Sequence, residues 1–471
     1  MKKKKKKILS IIVTSLLGII FIVLTGLLIY LNVLPLLILI LVIILLLALL
    51  IGMFFLNFSK KKGLRIIGIF LSIILASSVI FVEVYLGSTI GFLEGITNGN
   101  YSLKTYEVVV LKDSEYKKLK DLNNKDVLTK DDKDDEELKK GKDKINKKVK
   151  LNYINKDDVS EMIYSLINNE VDAVLVEKSE LDLIKDDEES YSKLKVIYRV
   201  TIKDDIKDIL NKVDINKDSF NIYVTGMDTY GKISQTSRSD VNIVITVNPK
   251  TEKILITWVP RDYYVKINNS SYKDKLTHAG IYGIDTSIYA LENLLDTEIN
   301  YYFKVNFTSV VKIIDLLEGI EVYNDETFTT NDNFTFNKGM VKLNGEEALS
   351  FVRDRKHVTG GDLGRGKNQV KVLEAVIKKA SSPKIITKYT SLLNSLDGAF
   401  LTNMPSNTMK SFIKKEISKK RDWKFESNTL NGTDGSEFTY SYKNQKLYVM
   451  IPNEDSVSDA QNKIKEILEE K

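Results

Sequence analysis

The chain has no cysteine in 471 residues and only two histidines, His278 and His357. Disulfides are excluded, and so is a structural zinc site with Cys/His spacing. The lack of cysteine fits an exported domain that does without disulfides, although cysteine-free chains occur in other compartments too. Each histidine reads as a structural hydrogen-bonding residue before it reads as a base. No Walker loop and no GxGxxG turn is present, which removes the common nucleotide-binding loops. Arginine is scarce as well. Of 69 Lys plus Arg, eight are arginine: Arg65, Arg199, Arg238, Arg261, Arg353, Arg355, Arg365 and Arg421.

That scarcity gives the arginines meaning. A guanidinium is a planar fork that grips phosphate oxygens in pairs, whereas an ammonium is a hydrated point charge. Five of the eight fall between 238 and 365, in RSD, PRD, VRDR and GDLGR, each beside or near an aspartate. Two readings compete: arginine–aspartate salt bridges at the turns of a globular domain, or a polyphosphate site whose arginines are held by acids. The densest stretch is Leu343–Gln369. Asn344 stands as an N-cap with Glu347 as the returning carboxylate, so a helix is expected there. Arg353 and Arg355 follow two apart, a spacing that puts both on one side of an extended chain. Gly360 and Gly361 then break the chain ahead of Arg365.

Long apolar runs are plentiful at the N-terminus. Lys2–Lys7 lead into Ile8–Tyr30; Asn32 and Pro35 interrupt; Leu36–Leu56 is apolar again; and after Lys60, Lys61, Lys62 and Arg65 comes Ile66–Leu86. Each run is long enough to cross a bilayer, and Glu83 is expected at the interface. The first run lacks a small-residue cleavage site, so it reads as a span and not as a signal peptide. Both basic clusters should stay cytoplasmic, which puts everything after Leu86 outside the cell. The expectation is three transmembrane helices over residues 1–90 with a cytoplasmic N-terminus, and the bulk of the chain extracytoplasmic. The formal charge of +6 is largely membrane-proximal lysine and gives no reason to expect nucleic acid.

The remainder is long enough for two domains. Residues 101–216 read as a small exported α/β accessory domain. Strands are expected at Tyr106–Leu111, Val171–Val176 and Lys195–Val200, with a helix at Val159–Ile167. Lys112–Lys150, dominated by Lys and Asp, reads as a solvated and partly mobile excursion. Residues 217–455 carry strands at Phe220–Thr225, Val241–Val247 and Lys253–Val259, and helices at Thr286–Leu295, Phe307–Leu317 and Gln369–Ala380. A sheet covered by helices on both faces follows. A hairpin of Thr439–Tyr442 with Lys446–Ile451 and a C-terminal helix within 456–471 complete it. Asp228 and Asp240 end successive segments, and hard carboxylates beside phosphate-gripping arginines are the usual setting for Mg²⁺, with Mn²⁺ as the alternative cation.

From about Phe220 to Ile451 the chain resembles the LytR–CpsA–Psr (LCP) family of cell-wall polymer transferases. The matching pieces include FNIYVTGMD, RSDVNIVITVNPKTEKILITWVPRD, KLTHAGIYG, FNKGMVKLNGEEALSFVRDRK and GDLGRGKNQ, in the family's order. The three spans and the extra exported domain further resemble its capsule-linked branch. The resemblance implies an α/β/α sandwich with an apolar pocket for a polyprenyl chain. It implies Asp228 and Asp240 as Mg²⁺ ligands on a pyrophosphate. Arg238, Arg261, Arg353, Arg355, Arg365 and Gln369 are implied as pyrophosphate-binding, with Asp262 beside Arg261 in the catalytic group. Two departures stand out: Ile284 where a second glycine is common, and Asn368 where arginine is common.

The implied reaction is transfer of a glycan phosphate from a polyprenyl-pyrophosphate-linked donor to a sugar hydroxyl of peptidoglycan, leaving polyprenyl phosphate. Capsular polysaccharide and teichoic acid are both compatible donors. Two rivals stand beside it, a polyprenyl-pyrophosphate phosphohydrolase and a non-enzymatic envelope regulator. The regulator would need no clamp of arginines.

Overall fold

The computed structural model describes the chain except residues 1, 33, 98–100, 134, 186, 206–210, 212, 228–232, 269–271, 383–399, 420 and 444. Helices α1 (Lys2–Leu31), α2 (Leu36–Asn57) and α3 (Lys62–Thr97) form the N-terminal bundle. Their stretches Lys7–Leu31, Leu36–Asn57 and Lys62–Val84 are long and apolar enough to cross a membrane. Between lipid-like surfaces the hydrophobic effect does little, so packing and polar contacts must join the helices. Asn57 supplies the contacts: its Nδ2 donates to Thr14 Oγ1 and Ser72 Oγ, both at 3.0 Å, and Ser10 Oγ donates to its carbonyl at 2.8 Å. Leu37 and Phe55 on α2 face outward, as lipid-facing residues should. Helix α3 runs on past the expected end at Leu86 to Thr97.

The first unit after the helices is a five-stranded sheet of β1 (Tyr101–Leu111), β2 (Asp126–Thr129), β3 (Asn152–Asn155), β4 (Ala173–Glu177) and β5 (Leu194–Asp205), ordered β3-β2-β4-β1-β5. The long strands β1 and β5 pair antiparallel along their whole length, from Tyr101↔Asp205 to Leu111↔Leu194. Helices α4 (Glu136–Asn146), α5 (Val159–Ile167), α6 (Lys178–Ile184) and α7 (Glu188–Ser192) complete the unit. The expected solvated excursion at Lys112–Lys150 is contradicted, because β2 and α4 lie inside it. Its lysines and aspartates hide sparse anchors: Leu122, Val127, Leu138 and Ile145 are all buried in one core. Leu138 and Ile145 sit two helical turns apart on one face of α4, and Asp135 caps that helix by accepting from Leu138 N at 2.8 Å.

The second unit is built on a six-stranded sheet. Its strands are β6 (Phe220–Met227), β7 (Val241–Asn248), β8 (Lys253–Trp258), β11 (Tyr301–Asn306), β16 (Phe400–Thr402) and β17 (Lys424–Thr429). The order is β16-β11-β6-β7-β8-β17, with β6–β11 and β8–β17 parallel. Strands β9 (Tyr264–Val265) and β10 (Asp274–Lys275) pair beside it, as do β12 (Ile320–Asn324) with β15 (Gly339–Leu343) and β13 (Phe328–Thr329) with β14 (Thr335–Phe336). The intervening helices are α8 (Leu276–Ala279), α9 (Ile284–Leu295), α10 (Phe307–Leu316), α11 (Gly345–Arg353), α12 (Asp362–Ala380), α13 (Ser406–Lys419) and α14 (Glu454–Glu469).

Both faces of the sheet are covered, as expected. Tyr223, Leu255, Leu291 and Ile464 join α9 and α14 to one face, while Ile256, Trp258, Val370 and Met404 pack the other with α12. One expected pairing fails: β19 (Leu447–Pro452) pairs with β18 (Gly432–Glu437), not with Thr439–Tyr442. Residues 439–442 instead close a turn, with Thr439 N donating to Tyr442 O at 3.3 Å.

The second unit rests on the helix bundle. Strand β16 and helix α13 pack against α3. Lys414 Nζ donates to Asn32 Oδ1 at 2.7 Å, and Lys410 Nζ lies 5.5 Å from the centre of the Tyr30 ring. The α1–α2 turn and the large unit are therefore at the same end of the bundle.

Candidate active site

Two loops at the ends of β6, β7 and β8 begin the site. Asp240 N donates to Gly226 O at 2.8 Å and Ser239 N to Thr277 O at 2.9 Å, which pins the RSD segment between β6 and α8. Close approach requires a glycine at position 280, where a Cβ would come 2.4 Å from Ser239 Oγ and 2.9 Å from Ser239 N. Asp240 Oδ1 accepts from Arg261 Nη1 at 2.8 Å and from Thr277 Oγ1 at 3.3 Å. Arg261 Nε lies 3.5 Å from Asp262 Oδ2, and Lys275 Nζ 3.2 Å from Asp262 Oδ1. Burial works against the Arg261 charge, but Asp240 and Asp262 outweigh it and raise its pKa.

The other half comes from α11 and α12. Asn344 Oδ1 accepts from Glu347 N at 2.9 Å, and Asn344 N donates to Glu347 Oε2 at 2.8 Å, the reciprocal cap read from the sequence. Arg353 is the last residue of α11, so Arg353 and Arg355 do not share an extended segment as expected. The chain turns out of the helix at Asp354 (ψ 129°), and both arginines still line one cavity. The Arg353 guanidinium lies 4.2 Å from the centre of the Phe307 ring, a contact worth about 0.5–2 kcal/mol.

Gly360 and Gly361 take φ of 87° and 58°, and α12 starts at Asp362, about two turns before the expected Gln369. Arg365 and Gln369 thus stand four apart on one helical face. Gly366 lets that helix lie against Trp258, since a Cβ there would come 2.4 Å from the indole. Trp258 Nε1 donates to Gln369 Oε1 at 2.9 Å.

These side chains lie between two unlike spaces. A cavity of about 440 Å³ has largely apolar walls, among them Val224, Ile243, Phe307, Ile313, Val372 and Val376. Asp240, Arg353, Arg365 and Gln369 line it as well. A polar basin of about 490 Å³ is lined by Arg238, Asp262, Lys275, Thr277, Lys356 and Tyr448. Arg261 and Arg355 line both spaces and mark the boundary. Asp228 lies outside the described residues.

The boundary is short of anions. Arg261 Nε and Arg365 Nε are buried without a hydrogen-bond partner among the described residues. Burial lowers the Arg365 pKa, and repulsion from Arg261 and Arg355 adds to that against Asp362 and Asp240. Asp362 takes an Arg365 Nη2 hydrogen bond yet leaves Nε unsatisfied. A dianionic group at this boundary would supply acceptors where donors have none. Asp240 suits a hard cation beside such a group, because Arg261 and Thr277 both use Oδ1 and no hydrogen bond among the described residues uses Oδ2.

Both histidines are tied to an aspartate through Nδ1, and His278 also lines the polar basin. His278 Nδ1 is 2.7 Å from Asp274 Oδ1, both buried, and His357 Nδ1 is 2.7 Å from Asp354 Oδ2. Sequence reading missed several residues of the site: Trp258, Lys275, Thr277 and Phe307. Trp258 lies within RSDVNIVITVNPKTEKILITWVPRD, and Lys275 and Thr277 lie within KLTHAGIYG; one of only two tryptophans just ahead of PRD was the available signal. Phe307 had none, because its role is to underlie an arginine 46 residues away in the chain.

The family model described as "LytR_cpsA_psr family" matches residues 187–466. The chain is 33% identical over 264 residues to a Bacillus licheniformis protein named polyisoprenyl-teichoic acid–peptidoglycan teichoic acid transferase TagU, covering 54% of this chain and 80% of that one. It is 38% identical over 189 residues to the Bacillus anthracis protein of the same name, covering 40% of this chain and 61% of that one. The crystal structure of Bacillus subtilis TagV superposes with a TM-score of 0.47 at 27% identity, over 54% of this chain and 98% of that one.

Proposed function

The chain belongs to the LytR–CpsA–Psr family, and on that premise we propose that it transfers a glycan phosphate from a polyprenyl-pyrophosphate-linked donor to peptidoglycan. The observation that carries the proposal is the boundary itself: Arg261 and Arg355 stand where an apolar cavity meets a polar basin. A lipid pyrophosphate has the same division, with hydrocarbon on one side, a sugar on the other and charge between them. Relatives named as teichoic acid transferases support teichoic acid as one donor class.

In this reading the polyprenyl chain enters the apolar cavity. Each buried CH₂ contributes about 0.8 kcal/mol, which suffices for binding but gives no orientation. Orientation comes from Arg261, Arg353, Arg355 and Arg365, whose forks fix the pyrophosphate oxygens. Gln369 holds α12 against Trp258 so that Arg365 keeps its place. Asp262, between Arg261 and Lys275, orients the clamp on its polar side.

The acceptor hydroxyl forms a new P–O bond to the glycan-bearing phosphorus as the bond to the bridging oxygen breaks. The bridging oxygen departs with polyprenyl phosphate, and the hydroxyl proton is released. Such a step depends on positioning and on neutralising charge that spreads over phosphate oxygens, which the arginines supply. Mg²⁺, held by Asp240 and Asp228, would add further neutralisation of the pyrophosphate. Three N-terminal spans would hold the site at the outer membrane face, where donor and acceptor meet.

The test is the product. Purified full-length protein, given a polyprenyl-pyrophosphate glycan and uncrosslinked peptidoglycan strands, should yield a glycan joined to the wall through a phosphodiester, seen by mass spectrometry. A glycan joined in any other way would remove the reading.

A further inference from the structure

The first unit after the helices has no role in the reaction as described, yet it grips the loop that carries Arg238. Leu103 on β1 donates its N–H to Ser234 O at 2.7 Å and forms a parallel bridge with Gln235. Thr236 Oγ1 donates to Glu177 Oε1, at the end of β4, at 2.6 Å. Arg238 Nη2 donates to Asp182 O on α6 at 3.2 Å. From the opposite side Lys304 Nζ, on β11, donates to Gln235 O at 2.8 Å. Burial pushes the Lys304 pKa down to about 8, so it does not stand in water as a solvated lysine would.

Segment 234–238 is therefore held by two units. Three of these contacts come from the accessory sheet and its helix, and they converge within five residues of chain. Two residues beyond Arg238, Asp240 meets Arg261. A loop joining two strands over more than a dozen residues would otherwise pay conformational entropy at each turnover to place a guanidinium.

We infer that the accessory domain is a working part of the active site: through Thr236 and Glu177 it positions Arg238 in the wall of the polar basin. The inference rests on the proposed transfer reaction, and Thr236 and Glu177 are positioning residues that touch neither donor nor acceptor. Glu177 needs only to accept. Burial, with Glu180 nearby, pushes its carboxyl up to about 7, and a neutral carboxyl or a carboxamide accepts the same hydrogen bond.

The experiment is a double-variant cycle on full-length protein, with transfer from a polyprenyl-pyrophosphate glycan as the readout. Thr236→Val keeps shape and loses the donor; it should lower kcat/KM about tenfold. In an Arg238→Ala background the same change should cost less than about twofold, because there is no guanidinium left to position. Glu177→Gln should behave as wild type, and Thr236→Ser should restore activity. Melting curves identify any variant that fails to fold, and Thr236→Ala then takes the place of Thr236→Val. Full multiplicative losses in the two backgrounds would overturn the inference, as would a Glu177→Gln loss equal to that of Glu177→Ala. Absence of transfer by the wild-type protein would instead count against the proposed function.

Discussion

Trp258 and Gln369 are joined by one hydrogen bond of 2.9 Å across the interface between β8 and α12. The amide of Gln369 also reaches back to Val352 O at 3.4 Å, so one side chain ties together the strand before PRD, the helix of VRDR and the helix of GDLGR. Three arginine-bearing motifs meet around it, and PRD lies about 90 residues from the other two in sequence. Gln369 is thus a support for the arginines as much as a lining residue of the cavity.

Trp258→Phe removes the donor and keeps most of the ring. It leaves the buried Gln369 oxygen unsatisfied, at a cost of about 1–3 kcal/mol. Thermal unfolding of the detergent-purified chain should show a lowered midpoint. Transfer activity should fall with it, and Gln369→Glu should not rescue the loss. An unchanged midpoint would remove the supporting role.

Much of this was legible in the residues themselves. Asn344 and Glu347 announced the cap of α11, because a cap is local chemistry. The arginine motifs were found because a lysine-rich chain makes arginine conspicuous. What was not legible depends on distance in the chain or on sparse anchors. The Lys/Asp excursion hid α4, since Leu138 and Ile145 suffice to bury a helix whose other residues are polar. The contact of Arg353 with Phe307 exists only once α10 and α11 are packed, and that of Arg238 with Asp182 only once the two units are. The β18–β19 pairing was missed because GTDGSE carries no strand-like alternation.

The clamp makes a sharp demand on arginine. Arg261→Lys, Arg355→Lys and Arg365→Lys keep the charge and lose the fork. Each charge-assisted hydrogen bond contributes about 1.5–3 kcal/mol, so transfer should fall roughly tenfold to a hundredfold. Surface ion pairs would change by about 1 kcal/mol or less. Steady-state rates of the three variants decide between the two readings, and near-native turnover in all of them would favour simple salt bridges.

Asp240 is expected to bind a hard cation only with pyrophosphate present. Titration calorimetry of Mg²⁺ into protein with inorganic pyrophosphate should show binding that Asp240→Asn weakens at least several-fold, with little change in melting temperature in the absence of metal. Equal affinity in wild type and variant would take the cation away from this carboxylate.

The absence of cysteine makes topology easy to measure. Lys414 meets Asn32 on the side of the bundle that bears the large unit, and Lys61 lies in the opposite turn. In wall-stripped intact cells, a membrane-impermeant maleimide should label Asn32→Cys and leave Lys61→Cys unlabelled until the cells are opened. The reverse pattern would place the site inside the cell and end the account of wall attachment.

The central claim is transfer to an acceptor, and the rate of polyprenyl phosphate release tests it most directly. Release should be slow from the lipid-linked donor alone and should rise several-fold when peptidoglycan strands are added, with glycan appearing on the strands in equal amount. Release at the same rate without acceptor, with the glycan recovered only as a free sugar phosphate, would contradict the account and make the protein a hydrolase.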